Sequence, residues 1–399
     1  MDSIQYLLSI KTRGIKLGIE RTKKIMAICG NPQIGMPSIQ VVGTNGKGSV
    51  CAMLSNIFKT AGYKTGLFTS PHLVNINERI RINGIPISNE EIDVFIQQYK
   101  TDIEKIETTF FETITAMAFW YFKNNGVDIA ILETGLGGRL DSVSICQPMA
   151  TVITPISYDH LEILGDTLSE IAFEKAGALK NGVICISAHQ KTVVTEVLIK
   201  EANKKNSQIH FLNGNNNSEY KLNIPGKAQQ ENAQLAVSTL TLLPNFKIPE
   251  ESILDGLQSV KWYGRNHIIQ KHPLIIFDVA HNLASMKSFL EYYKSLAISE
   301  NSILIIALQA RKQIQPIIPL FQNIFQHIIC TEAPGRNPMT VDVLGEHFTD
   351  KKKTIIQDPK DAIFFGLEKL TSHGGMAIIG SHCLGPAVSS VFKISFDKY

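Results

Sequence analysis

The chain has 399 residues, 44% of them hydrophobic and 19% charged, and 39 basic against 36 acidic residues leave a net charge of +3. That length exceeds one ordinary core and predicts two or three domains, and the composition is that of a globular chain rather than a disordered one. So balanced a charge gives no reason to expect nucleic acid or a membrane surface as partner, although a local basic patch for a small acidic substrate can hide within it. Six scattered cysteines without a C-x-x-C pair argue against a disulfide framework or zinc ribbon and for buried thiols in a reducing compartment. The opening "MDSIQYLLSIKTRG" lacks a basic segment ahead of a long apolar stretch, so no secretory leader is expected. No apolar run approaches the ~18 residues that cross a bilayer. The expected setting is cytoplasmic.

In chain order, strands are predicted at 39–44, 64–70, 127–135, 149–156 and 182–187, with amphipathic helical stretches at 47–61, 88–105, 110–124 and 166–179. Continuous apolar strands alternating with helices predict a parallel sheet covered on both faces. The Asn-rich 213–220 is expected to be an exposed turn. Near 259–273 the helical periodicity stops, and a second series of strands follows at 273–282, 302–310, 326–333, 353–358 and 375–382. The expected organisation is α/β throughout. A mostly parallel, P-loop-type domain over 1–262 leads through a linker at 263–272 to a smaller doubly wound, Rossmann-like domain over 273–399.

The segment "VVGTNGKGSVCAML" (41–54) joins the first strand to the first long helix, where a phosphate cradle belongs. Its order departs from G-x-x-x-x-G-K-[ST], because Val41 replaces the first Gly and Gly48 separates Lys47 from Ser49. Gly43, Gly46 and Gly48 allow a sharp turn with amides close to phosphate oxygens. Lys47 adds a point charge, Ser49 a hydroxyl, and the helix its positive dipole end. The bland reading is a strand-to-helix turn that needs glycine for geometry alone.

Other strand ends carry further chemistry. Glu133 ends "DIAILE", where open α/β sheets bind ligands, and suits Mg²⁺. Asp159 and His160 follow another strand in the same way. Asp278 and His281 end the first strand of the second domain, which places a site in an interdomain cleft. Lys175, in "FEKAGALK", is on local grounds an ordinary solvated helix charge.

Six ordered blocks resemble the folylpolyglutamate synthases and dihydrofolate synthases of the Mur ligase superfamily. They are "GTNGKGS" (43–49), "TSPHLVNINERIRING" (69–84), "ILETGLGGRLD" (131–141), "SYDHLEILGDTLSEIAFEKAG" (157–177), "YGRNHI" (263–268) and "FDVAHN" (277–282). The resemblance implies ATP- and Mg²⁺-dependent addition of L-glutamate to a folate or to dihydropteroate through an acyl phosphate, with two metal ions, by a monomer. It implies phosphate contacts from Thr44, Asn45, Gly46, Lys47, Gly48 and Ser49, with further ATP contacts from Asn232, Arg265 and Asp278. Ser70 and Glu133 would hold the first metal and His160 the second. Lys175 falls at the position carbamylated in that family. The pterin or folate side would be formed by Leu17, Gly18, Phe111, Glu112, Leu140, Asp141 and Ser142, and the amino-acid subsite by His281 and Lys312.

This chain departs from the family pattern at Ala228, which replaces a His, and at Ser144, where many relatives have Asn. Arg311 and Gln313 flank Lys312 where acids are common, and Lys16 stands where some bifunctional relatives have Asp. Two other readings stay open: a Mur-type ligase acting on a different carboxylate, and a non-catalytic nucleotide-binding protein.

Overall fold

The structure is a computed structural model describing all residues except 1, 214–218, 244, 299, 311, 313, 336, 349–351 and 398–399. Arg311, Gln313 and most of the Asn-rich turn therefore lie outside the described residues.

Eight strands form the first sheet: β1 Ser38–Val42, β2 Thr65–Phe68, β3 Ile80–Ile82, β4 Ile85–Pro86, β5 Ile129–Glu133, β6 Ala150–Ile153, β7 Ile184–Ser187 and β8 Ile209–Phe211. Their order across the sheet is β4-β3-β2-β5-β1-β6-β7-β8. All pairings are parallel except those of β3 with β2 and β4. Alternation explains why the central strands are apolar throughout. In β5, Ile129 and Ile131 pack with the helices Lys47–Thr60 and Lys227–Thr241, while Ala130 and Leu132 pack on the other face with Phe95, Ile114 and Phe119. Local signals set the helix starts: Ser88 accepts from the Glu91 amide at 3.2 Å, and Thr109–Glu112 and Thr167–Glu170 form capping boxes.

Six strands form the second sheet: β9 His267–Lys271, β10 Leu274–Asp278, β11 Ser302–Ile306, β12 His327–Cys330, β13 Lys352–Ile355 and β14 Gly375–Ile379. The order is β13-β12-β11-β14-β10-β9, with only β9 antiparallel. All ten predicted strands are present. Residues 267–271 of the expected linker instead form β9, a half-exposed edge strand with no buried run to announce it. The strands β3, β4 and β8 are unpredicted because they are only two or three residues long, although β3 is buried throughout.

The two halves are tied together by Arg81 of β3, which is 2% exposed. Its guanidinium donates to the carbonyls of Glu78 at 3.0 Å and Phe396 at 3.2 Å, and also to that of Asp397. Asn75 adds a bond to the Asp397 carboxylate at 2.9 Å. Arg81→Met leaves several buried carbonyls without a donor. It is expected to lower unfolding free energy by about 3 kcal/mol in denaturant titration; a loss below about 0.5 kcal/mol would contradict the tie.

Candidate active site

Parallel strands carry their following loops to the same edge of a sheet, so the segments after β1, β2, β5 and β6 converge. After β1, Gly43 runs at φ +150, and a Cβ there would lie 2.0 Å from Thr154 Oγ1 and 2.9 Å from the Thr154 carbonyl oxygen. Gly46, at φ +89, caps the helix Lys47–Thr60, and a Cβ there would meet Asn232 Oδ1 at 2.4 Å. Glycine is required at both positions by conformation and by space. Thr44 and Ser157 lock the loops after β1 and β6 together. Thr44 Oγ1 donates to the Ser157 carbonyl, and the Ser157 amide donates back to Thr44 Oγ1, both at 3.1 Å. Lys47 Nζ folds back onto the Thr44 carbonyl at 3.0 Å. Gly48 lies against the indole of Trp262. Ser49 Oγ is buried without a hydrogen-bond partner.

Lys175 overturns its local reading as a solvated charge. It is 5% exposed, and its Nζ donates to the Gly43 carbonyl at 2.6 Å. Burial, reinforced by the nearby Lys47 charge, lowers its ammonium to about 7, against the pull of Asp159 and Asp141. Glu133 is 4% exposed and accepts the Ser70 amide at 3.0 Å. Burial raises its carboxyl, while Lys47, the Ser70 amide, Arg265 and Arg79 oppose that rise.

The second domain enters through the loops after β10 and β11. Asn45 and Asn282 exchange amide hydrogen bonds at 3.1 and 2.9 Å. Asp159 accepts from Lys312 Nζ and, at 3.0 Å, from Asn282, while His281 Nε2 lies 3.4 Å away. Burial alone would raise Asp159, but His281 and Lys312 hold it well below the usual carboxylate range. His160 sits at φ +52 with an exposed surface. Desolvation of the ring, reinforced by Lys312, His281 and Lys47, lowers its imidazole to about 4 against the attraction of Asp159. Ser70, Glu133, Gly48 and Arg265 line one interdomain cavity of ≈ 50 Å³.

The remaining expected residues divide. Asn232 bonds Gln229 at 3.1 Å and lies against Gly46, at the phosphate loop. Arg265 acts on both Glu133 and Asp278. Both Asp278 oxygens accept backbone amides, from Asn266 at 2.6 Å and Ala280 at 2.7 Å, so this carboxylate holds the loop after β10. Asp141 likewise accepts the Leu136 and Val143 amides, and burial pushes it up to about 6. Glu112 caps its helix and pairs with Arg21 at 2.9 Å, and Ser142 accepts from Thr22 at 3.0 Å. Phe111 packs on Gly135 and on Phe68, while Leu17 and Leu140 are exposed near-neighbours in sequence of Gly18 and Asp141. Trp262, Asn282 and Ser157 were not singled out by sequence; each acts through a partner far along the chain.

Among the described residues, no three His, Cys, Asp or Glu side chains converge as a ready metal cage. A metal that keeps waters and binds substrate phosphates needs only one or two protein carboxylates, and the buried Glu133 with Ser70 at its side, together with the orphaned Ser49 hydroxyl of the glycine loop, fits that demand.

Residues 41–181 match the Mur ligase middle domain. A dihydrofolate synthase/folylpolyglutamate synthase of Bacillus subtilis is 34% identical over 92% of this chain and 93% of its own length. Escherichia coli FolC in complex with DHPP and ADP is 26% identical, with a TM-score of 0.90 and 98% of each chain covered. A bifunctional folylpolyglutamate synthase/dihydrofolate synthase with Mn, AMPPNP and L-glutamate bound is 25% identical, with a TM-score of 0.88 over 99% of this chain and 98% of its own. Fold and site together define a two-domain ligase built on the Mur ligase middle domain. Within that class, the chain belongs to the dihydrofolate synthase/folylpolyglutamate synthase family.

The depressed Lys175 has a measurable consequence. Between its folded value of about 7 and its ordinary 10.5, the unfolded chain binds one more proton, so stability falls as pH falls across that window and is level below it. In CO₂-free buffer, the stability difference between Lys175→Met and the parent is expected to shrink as pH rises from about 7 to about 10. Denaturant titrations at the two pH values measure it; a pH-independent difference would contradict the assignment.

Proposed function

We propose that this enzyme joins the amine of L-glutamate to a carboxylate of a folate or of dihydropteroate, using ATP and releasing ADP and phosphate. The observation that carries the reading is the glycine loop 43–49, clamped between the Asp159 loop and Asn282 of the second domain, with its Lys47 acting on the buried Glu133. In the first step, an acceptor carboxylate oxygen attacks the γ-phosphorus and ADP leaves, giving an acyl phosphate. In the second, the glutamate nitrogen attacks the acyl carbon, a tetrahedral intermediate forms, phosphate departs and the amine loses its proton to solvent or a nearby base.

Both steps bring anions together, so preorganised cations and amides govern the barrier. Thr44, Asn45, Gly46, Lys47, Gly48 and Ser49 are assigned to the phosphates, and Asn232, Arg265 and Asp278 to the nucleotide side. Ser70, Glu133 and His160 would hold divalent metal, which supplies charge neutralisation on the phosphates when bound. A neutral Lys175 amine is able to add CO₂, and the resulting carbamate would be an anion in the place of a cation. Leu17, Gly18, Phe111, Glu112, Leu140, Asp141 and Ser142 are assigned to the acceptor. His281 and Lys312, already gathered around an anion, are assigned to the incoming glutamate. On this reading residues 1–262 carry ATP and acceptor, and 273–399 carry the amino acid. No helix among the described residues is long and apolar enough to cross a membrane, and a cytoplasmic monomer is part of the proposal.

Mass spectrometry of a mixture of enzyme, ATP, Mg²⁺, L-glutamate, dihydropteroate and tetrahydrofolate tests the proposal. At least one acceptor is expected to gain a glutamyl residue, and Lys47→Met is expected to slow this by about 10²-fold or more. No glutamylated product from either acceptor would contradict the reading.

A further inference from the structure

Among the described residues, no carboxylate forms an ion pair with the buried Arg79, although Glu133 and Glu78 act on it from farther off. It is 9% exposed, and its side chain makes one hydrogen bond among the described residues, from Nε to His72 Nδ1 at 2.8 Å. That bond occupies neither terminal nitrogen of the guanidinium fork. The groups packed on it are basic or aromatic. The guanidinium carbon lies 5.2 Å from the Phe110 ring centroid, and Lys11 Nζ lies 5.0 Å from the same centroid. Lys11 and His382 complete a basic cluster with Arg79 around the His72 ring. The near acid, Glu78, spends its carboxylate on the amides of Leu73, Val74 and Asn75. A buried cation normally finds a partner, and removing one costs heavily.

Position narrows the missing partner. Arg79 acts on Glu133, but less strongly than Lys47 or Arg265, so it stands outside the phosphate cradle. On its other side is Phe110, next to the Phe111 and Glu112 of the acceptor side. His382 lines the same interdomain cavity as Ser70 and Glu133. An acceptor running from Phe111 toward Glu133 passes this cluster.

We propose that Arg79, supported by Lys11 and His382, binds the non-reacting α-carboxylate of a glutamyl-bearing acceptor and so favours extension of folates over glutamylation of dihydropteroate. The proposal rests on the ligase reading above. A glutamyl acceptor carries two carboxylates on one short saturated chain. With one at the phosphates, the other falls a few ångströms back toward the pterin. Dihydropteroate has a single carboxylate and leaves this fork unmatched. His72 is a positioning residue, since it acts by holding Nε.

The test compares tetrahydrofolate with its α-carboxamide, reading both KM and binding by titration calorimetry, in the parent, Arg79→Gln and Arg79→Lys. The parent is expected to prefer the carboxylate by about tenfold or more. Arg79→Gln is expected to bring the ratio close to one, and Arg79→Lys, which keeps charge without the fork, to fall between. A ratio near one in the parent, or a ratio unchanged in Arg79→Gln whatever its overall activity, overturns the proposal. If the glutamine variant does not fold, an unchanged ratio in the lysine variant does the same. Failure of the ligase reading looks different: no product from any acceptor, while binding still reports the ratio.

Discussion

One buried anion of the first domain, Asp159, gathers Lys312, Asn282 and His281 of the second. Everything else about the site follows from that meeting. It places Asn282 where it can exchange amide bonds with Asn45, so the phosphate loop is held by both domains at once. It also offsets the Lys312 charge, which would otherwise repel Lys47 and the buried Lys175 across a cleft of low dielectric. A charge cluster of this kind stabilises only when its hydrogen bonds are complete, and here Asp159 is bonded through both oxygens.

The chemistry assigned to the cleft explains why polar groups there are left short of partners. Ser49 Oγ and Thr154 Oγ1, both at the glycine loop, are buried and unpartnered. Native interiors rarely leave such groups alone. A site that takes phosphates, metal and carboxylates supplies those partners on binding, whereas a merely structural turn would have satisfied them internally. By contrast, Asp278, Asp141 and Glu112 already accept backbone amides or pair with Arg21, so besides the ligand contacts proposed for them they hold their loops in place.

Much of this was legible in the sequence where local physics decides the outcome. Long apolar strands buried on both faces announce themselves, and Gly43 and Gly46 are forced by positive φ and by side chains that leave no room for a Cβ. Loops after parallel strands must share an edge, which brought Glu133, Asp159 and the glycine segment together on topology alone. What failed was decided at long range. Lys175 looked solvated because its burial depends on a carbonyl 132 residues earlier. Arg79 is an ordinary charge until Phe110 and His72 close around it. The short or half-exposed β3, β4, β8 and β9 exist through their partners rather than their own pattern.

The central claim is that this cleft activates a carboxylate by phosphorylating it. The most direct measurement labels the acceptor carboxylate with oxygen-18 and follows the label through one round of amide formation. Transfer of a carboxylate oxygen to the inorganic phosphate released is the predicted result, because the acyl–oxygen bond breaks when phosphate leaves. Unlabelled phosphate, with amide product formed, would contradict the account.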